Sequence, residues 1–493
     1  MVSEQILTLF LEIWHCFSMV FSSTFFLFVF LPVVIICYYS RQLLLQKGLR
    51  NTILLFFSYL FYLYGAAGFL LVLFLSTAAD YVLGLLVDRN IQHKRLWLGL
   101  SLLLNIGLLV YFKYANFFVG ELNGVLVAFR FSPLAWKEVI LPIGISFFTF
   151  QKVSYIIDVY RGKSRALGNF SDFALYIAMF PKLIAGPIVR YSDVGSQLKE
   201  RMESWDFFYK GVVRFCWGLA KKVMIANACG EIADLIFGLD IEALDTKIAW
   251  LGSIVYTLQI YFDFSAYSDM AIGLGMLFGF EFPENFRRPY SAISITDFWQ
   301  RWHITLSRWF KDYLYIPLGG NRRGTTRTYL NVAVVSVLSG LWHGANWTFV
   351  LWGFYHGVFM ILERLTGIRD IPPEKYRFVR RVITLLIVSV GWVFFRSEGI
   401  SYAIGFLRVM FTVSNQPLSY ELSRALNYQN VLFVMTAVTV FFLPSAFSGV
   451  NSLINRKDPI PVLVGAIMIV LVLIYCTALI VGGSSSPFIY YRF

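Results

Sequence analysis

The chain has 493 residues, of which 58% are hydrophobic, 18% aromatic and only 14% charged, with a mean hydropathy of +0.66. Soluble domains carry about a quarter charged residues, so these figures exclude a soluble globular protein and define a polytopic membrane protein. The net charge of +13, from 42 Lys and Arg against 29 Asp and Glu, falls in short loops between apolar runs, which is the orientation signal of membrane proteins and not a nucleic-acid-binding face.

Residues 1–18 carry little pattern and read as an N-terminal extension ahead of a single transmembrane domain over 19–493. The first convincing span covers 23–39 and is followed by Arg41, Lys47 and Arg50. A signal peptide would need a positive leading region and a small-residue cleavage site, and neither is present. The basic residues after the span place its C-terminal end in the cytoplasm. Residues 51–65 and 67–87 predict a tight pair of apolar helices turning near Gly65, and Arg89, Lys94 and Arg95 mark the return to the cytoplasmic side. Another span follows over 96–119, and 120–138 reads as a more polar external connection.

Residues 139–190 differ. The runs LPIGISFFTFQ and FPKLIAGPIV are interrupted by Pro142, Gly144, Pro181, Gly186 and Pro187, and each is shorter than the roughly 20 residues of a straight span. Broken or re-entrant helices fit, and such backbone is tolerated only against protein or a water-filled cavity. The region is expected to wall an internal chamber; kinked spans are the plainer alternative. Residues 205–229 form a helix with Lys210, Arg214, Lys221 and Lys222, lying at the interface or spanning with its charges snorkelling. Residues 248–280 are apolar but hold Asp263 and Asp269. These carboxylates either orient a histidine or a basic partner such as Arg287 or Arg288, or form a buried ion pair. Beyond residue 360, 382–396, 429–446 and 461–482 read as spans, and the tail SPFIYYRF as an interfacial segment.

The stretch from Asp297 to His356 concentrates the chemistry. It holds His303, His343 and His356, three of five histidines. Thr296 or Asp297 is the expected N-cap of its first helix. Trp299, His303 and Ser307 follow at four-residue steps and would share one helix face, and His343, Asn346 and Trp347 likewise. Gly340 and Gly344 flank His343 and permit close approach of another backbone or a thin ligand. Counted from Arg327, His343 lies about 24 Å along its helix, deep enough that its imidazole needs partners or a function. A neutral imidazole there can take a proton from a hydroxyl nucleophile. The plainer reading is a structural histidine bridging two helices.

No GxSxG, CxxC, HExxH, DxDxDG or GxxxxGK[ST] pattern occurs, so metal-dependent and ATP-dependent hydrolysis lack support. The cysteines Cys16, Cys37, Cys216, Cys229 and Cys476 are scattered; neither a disulfide framework nor a metal site is expected. Arg322 and Arg323 sit in the loop GGNRRG. They are candidates for the phosphates of a nucleotide-bearing donor, with a topology signal as the simpler explanation.

The blocks DFWQRWHITLSRWFKDYLYIPLGG, GLWHGANWTFVLWGFYHG, FDFSAYSDMAIGLG and NFRRPY resemble those of the membrane-bound O-acyltransferase superfamily. LPIGISFFTFQ, YIIDVYRG and FPKLIAGPIVRY are most similar to its bacterial alginate O-acetyltransferase group. The resemblance implies an all-α polytopic integral membrane protein, a ring of roughly 10–13 transmembrane helices with re-entrant or broken helices around a central chamber. It implies a multi-pass protein of the bacterial inner membrane. The implied activity is transfer of acetyl from a cytoplasmic thioester, acetyl-CoA or another acyl thioester, toward an exported polysaccharide such as alginate. No tightly bound cofactor is implied. The expected partners are a periplasmic acetyl-relay or polysaccharide-modifying protein, the polymer itself and membrane lipid. The superfamily's invariant histidine maps onto His343 and a second family position onto His303. Cellulose, peptidoglycan and teichoic acid are alternative acceptors. A transporter would explain the broken helices but not the paired histidines among tryptophans.

Overall fold

A computed structural model of the chain describes residues 19–40, 49–368, 371–442, 459–483 and 487–489. The expected extension over 1–18 lies outside the described residues. Those residues form helices joined by turns, with no strand among them. In a lipid environment this is the expected economy, because a helix satisfies its backbone polar groups within one segment. Among the described residues four helices are long and apolar enough to cross a membrane: Leu70–Arg89, Lys94–Ala128, Arg377–Arg396 and Leu463–Val481. Within Leu463–Val481 only 11% of the most apolar window is buried, so this helix turns its apolar surface outward as a lipid-facing element does. At the centre, Thr246–Leu277 runs for 32 residues and is buried on nearly every side, as an all-round apolar helix must be. Trp205–Ala220 packs along it.

The helix pair around Gly65 is present as Leu49–Ala66 and Leu70–Arg89. The next span is longer than the sequence suggests. Its helix continues to Ala128 through a π turn at Val110–Tyr114, so the first part of the expected polar connection at 120–138 is helical.

Between 139 and 190 the helices are short and almost wholly buried: Ile145–Tyr160, Phe170–Ala178 and Phe180–Leu183. Gly144 initiates the first with φ +77°, and a Cβ there would stand 2.7 Å from the Leu183 carbonyl oxygen. Only glycine meets both conditions. The backbone breaks are therefore sheltered by protein, as their polar groups require.

Of the basic residues after 205, Lys210 pairs with the exposed Asp206 at 2.7 Å, while Lys221 and Lys222 are buried and do not snorkel. Lys222 Nζ lies 2.6 Å from Asp263, and Lys221 and Arg214 both pair with Asp269. Asp263 and Asp269 are thus buried ion-pair partners of the neighbouring helix, and among the described residues neither forms an ion pair with Arg287 or Arg288. Of the tail SPFIYYRF only 487–489 lie among the described residues, and of these Phe488 and Ile489 are buried against protein and not interfacial. Phe488 is 1% exposed against Tyr267, and the Ile489 N–H donates to Asp263 at 2.8 Å.

Candidate active site

The helix Thr325–His343 ends on His343 because Gly344 turns extended, with φ −166° and ψ 151°. Asn346 then caps Trp347–Leu365, its Oδ1 accepting the Thr348 N–H at 3.0 Å. The expected common face of His343, Asn346 and Trp347 is therefore absent, since the chain reverses between them; Trp347 is half exposed. Phe349 occupies both glycine positions, its backbone at Gly340 and its ring at Gly344: a Cβ on Gly340 would lie 2.2 Å from the Phe349 carbonyl oxygen. That contact presses the two helices together and seats the His343 ring, 3% exposed, against Trp342, Trp352 and Phe395 at centroid distances of 4.9, 5.0 and 5.2 Å.

His303 is not in the middle of a helix. Ile295–Arg301 stops, Trp302 is extended, and His303 takes the left-handed conformation (φ 43°, ψ 55°) before Ile304–Phe310 begins. The face expected for Trp299, His303 and Ser307 is broken at this turn. The first helix is capped by Ser294, which accepts the Asp297 N–H at 3.0 Å, and not by Thr296 or Asp297. Left-handed backbone at a non-glycine residue costs about 1–3 kcal/mol and persists only where its surroundings impose it. Here the NFRRPY loop does so: Ile304 N–H donates to the Asn285 carbonyl, and Arg287 N–H to the Arg301 carbonyl, both at 2.9 Å.

The Asn285 side chain completes the clamp. Its Oδ1 accepts the Thr305 N–H at 3.3 Å and the Thr305 hydroxyl at 2.9 Å, and lies 3.1 Å from His303 Nδ1. A backbone N–H can only donate, so the atom facing it is the carboxamide oxygen. His303 must then carry its proton on Nδ1, which leaves the lone pair of the neutral ring on Nε2. Phe264 and Trp342 close over the ring at 4.7 and 5.8 Å. The Trp342 indole therefore touches both imidazoles, His303 from one chain segment and His343 from another. The broken-helix region supplies the floor: Phe147 and Phe150 pack on Trp342 at 5.6 and 5.5 Å, and the Ile188 N–H donates to Thr305 Oγ1 at 3.0 Å.

Beside this site lies a cavity of about 210 Å³, lined among others by Trp299, Trp352 and His356, with Lys311 and Arg364 also on its wall. Trp352 separates it from His343, standing 5.0 Å from His343 and 5.2 Å from His356. Both ring nitrogens of His356 and the indole N–H groups of Trp299 and Trp352 have no hydrogen-bond partner among the described residues. The cavity wall thus offers polar atoms to whatever enters. Arg322 and Arg323 are exposed on their loop and do not line it. Arg301 is engaged with Asp297 at 2.7 Å.

Three contributors escaped the sequence reading: Asn285, Lys113 and the cavity role of His356. Lys113 donates to the Trp342 carbonyl at the end of the His343 helix; a lysine inside a predicted span was itself the signal.

Fold and site together define a polytopic membrane enzyme whose buried imidazoles suit proton transfer at a hydroxyl. Residues 148–396 match the model of the MBOAT, membrane-bound O-acyltransferase family, and the chain belongs to this family; it is an acyltransferase. It is 44% identical over 446 residues to the probable alginate O-acetylase AlgI of Pseudomonas putida, covering 90% of each chain. It is 44% identical over 442 residues to the probable alginate O-acetylase AlgI of Pseudomonas aeruginosa, covering 89% of this chain and 83% of that one. With the peptidoglycan O-acetyltransferase of Helicobacter pylori it shares 36% identity over 470 residues, covering 87% of each.

Proposed function

We propose that this protein takes an acetyl group from a cytoplasmic thioester, acetyl-CoA or another acyl thioester, and delivers it across the bacterial inner membrane for O-acetylation of an exported polysaccharide such as alginate. A periplasmic acetyl-relay or polysaccharide-modifying protein would receive or use the group. The observation that carries the reading is the seating of His303 and His343 on one indole, in a chain 44% identical to alginate O-acetylases over most of its length.

His343 is the general base. It removes the proton of the attacking hydroxyl while the new C–O bond forms at the thioester carbonyl. The C–S bond then breaks, and the proton leaves with the thiol. Such assistance contributes about 10²–10⁴-fold. His303 positions the reacting groups. With its proton committed to Asn285, the neutral ring accepts a hydrogen bond at Nε2, which suits orienting an N–H or O–H better than donating to a developing oxyanion. The cavity beside Trp352 is the donor's approach, and Arg322 and Arg323 are outer contacts for its phosphates.

The test is acetyl content of the exported polymer, normalised to membrane-inserted protein. His343→Ala and His343→Gln should both abolish it while the protein still inserts; His303→Ala should reduce it less. Near wild-type acetylation by His343→Ala would remove the base assignment. A second acceptor, peptidoglycan, is favoured by the 36% identity to a peptidoglycan O-acetyltransferase, and acetyl analysis of both polymers in one strain separates the two.

A further inference from the structure

The helix Lys94–Ala128 is an outer span, with only 17% of its most apolar window buried. A charge on such a helix is expensive and ordinarily snorkels toward water. Lys113 does the opposite. Its ammonium turns into the protein and finds three oxygens, one for each of its protons: the carbonyl of Trp342, the carbonyl of His343 at 3.4 Å and Ser146 Oγ at 3.5 Å. The next residue acts on the same target, since the Tyr114 hydroxyl donates to the Leu341 carbonyl at 2.8 Å. No carboxylate among the described residues pairs with Lys113 by an ion-pair contact.

Leu341, Trp342 and His343 are the last three residues of their helix. Their carbonyls have no partner further along it, and they form the negative end of the helix dipole, where a cation is favoured. Lys113 and Tyr114 close the π turn Val110–Tyr114, a helical irregularity that recurs at functional sites. The ammonium also stands 5.7 Å from the centre of the Trp342 ring, so one side chain holds both the peptide and the indole that seat His343.

We infer that Lys113, assisted by Tyr114, is a positioning residue that sets the His343 imidazole by capping the end of its helix. This rests on the base role of His343 proposed above. Lys113 lies outside the 148–396 stretch matched by the family model.

The test uses the full-length protein in proteoliposomes, with acetyl-CoA as donor and mannuronate oligomers as acceptor. It is paired with hydrogen–deuterium exchange over residues 338–345 and thermal unfolding. Lys113→Met should lower kcat by about 10²-fold, the scale of a misplacement near 1 Å, with acetyl-CoA KM and Tm little changed and exchange at 338–345 accelerated. Lys113→Arg, which keeps the charge and the donors, should recover most of the loss. Tyr114→Phe should cost about 2–10-fold. Unchanged kcat and exchange in Lys113→Met would overturn the inference, as would a loss explained entirely by less folded protein, or Lys113→Arg as impaired as Lys113→Met. His343→Ala run in parallel separates the two claims. If it turns over normally, the base assignment fails by itself. If it is inactive while Lys113→Met is normal, only the positioning role falls. The exchange measurement reads the cap without any turnover.

Discussion

Asn285 Oδ1 faces His303 Nδ1 at 3.1 Å and, with the same oxygen, the Thr305 N–H at 3.3 Å. One carboxamide therefore sets both the backbone reversal and the tautomer of a buried imidazole. Asn285→Ala should leave buried donors unsatisfied, costing about 1–3 kcal/mol of stability. It should also lower acetyl transfer. In a double-mutant cycle, Asn285→Ala should add little to His303→Ala, because the two act as one unit. Additive losses of activity would show that Asn285 does not work through His303.

Gly340 is where two helices meet backbone to backbone, and a methyl group there would fall 2.2 Å from the Phe349 carbonyl oxygen. Gly340→Ala should destabilise the protein by about 1–3 kcal/mol or more through overpacking. It should also push Trp352 off His343. Gly124, whose would-be Cβ meets nothing within 4 Å, is the control, and Gly124→Ala should shift stability by less than about 1 kcal/mol. Thermal unfolding followed by helical circular dichroism checks both. Equal effects would mean that the close approach at Gly340 is unimportant.

The Arg322–Arg323 loop gives two outcomes at once. A cysteine placed at Arg322 should react with an impermeant maleimide only from the cytoplasmic face, because basic loops stay inside. If the loop meets donor phosphates, Arg322→Ala with Arg323→Ala should raise acetyl-CoA KM and leave kcat in place. An unchanged KM would confine these residues to topology.

Asp263 and Lys222 form a buried pair at 2.6 Å with side chains 3% and 2% exposed. Asp263→Ala should take the carboxylate away from a buried lysine and cost about 3–5 kcal/mol, and it should also remove the acceptor of the Ile489 N–H. Yield of inserted protein should fall while activity per folded molecule holds. A selective loss of turnover with normal yield would instead implicate Asp263 in the chemistry. The pairing differs from that of the imidazoles: it joins two oppositely charged side chains on neighbouring helices.

The amino-acid sequence by itself determined the class of protein, most of the spans and the stretch where the chemistry lies. Apolar run length, basic loops and the blocks around His303 and His343 are local properties, readable residue by residue. It also identified the breaks at 139–190, since Gly144 and Pro181 stand where helices start, a glycine at φ +77° as the N-cap of one and a proline in the first turn of the next. What only the tertiary structure decided was how these pieces meet. Spacing assigns a face only within one continuous helix, and the left-handed turn at His303 and the extended Gly344 each reset that phase. Trp299, His303 and Ser307 consequently lost their common face, and His343 parted from Asn346. Lys113 and Trp342 lie 229 residues apart in the chain, and Asp269 chose Arg214 and Lys221 over Arg287 and Arg288. No periodicity encodes such contacts. They follow from which helices pack closely enough to bury a charge, and the burial then dictates that every charge and carbonyl find its partner.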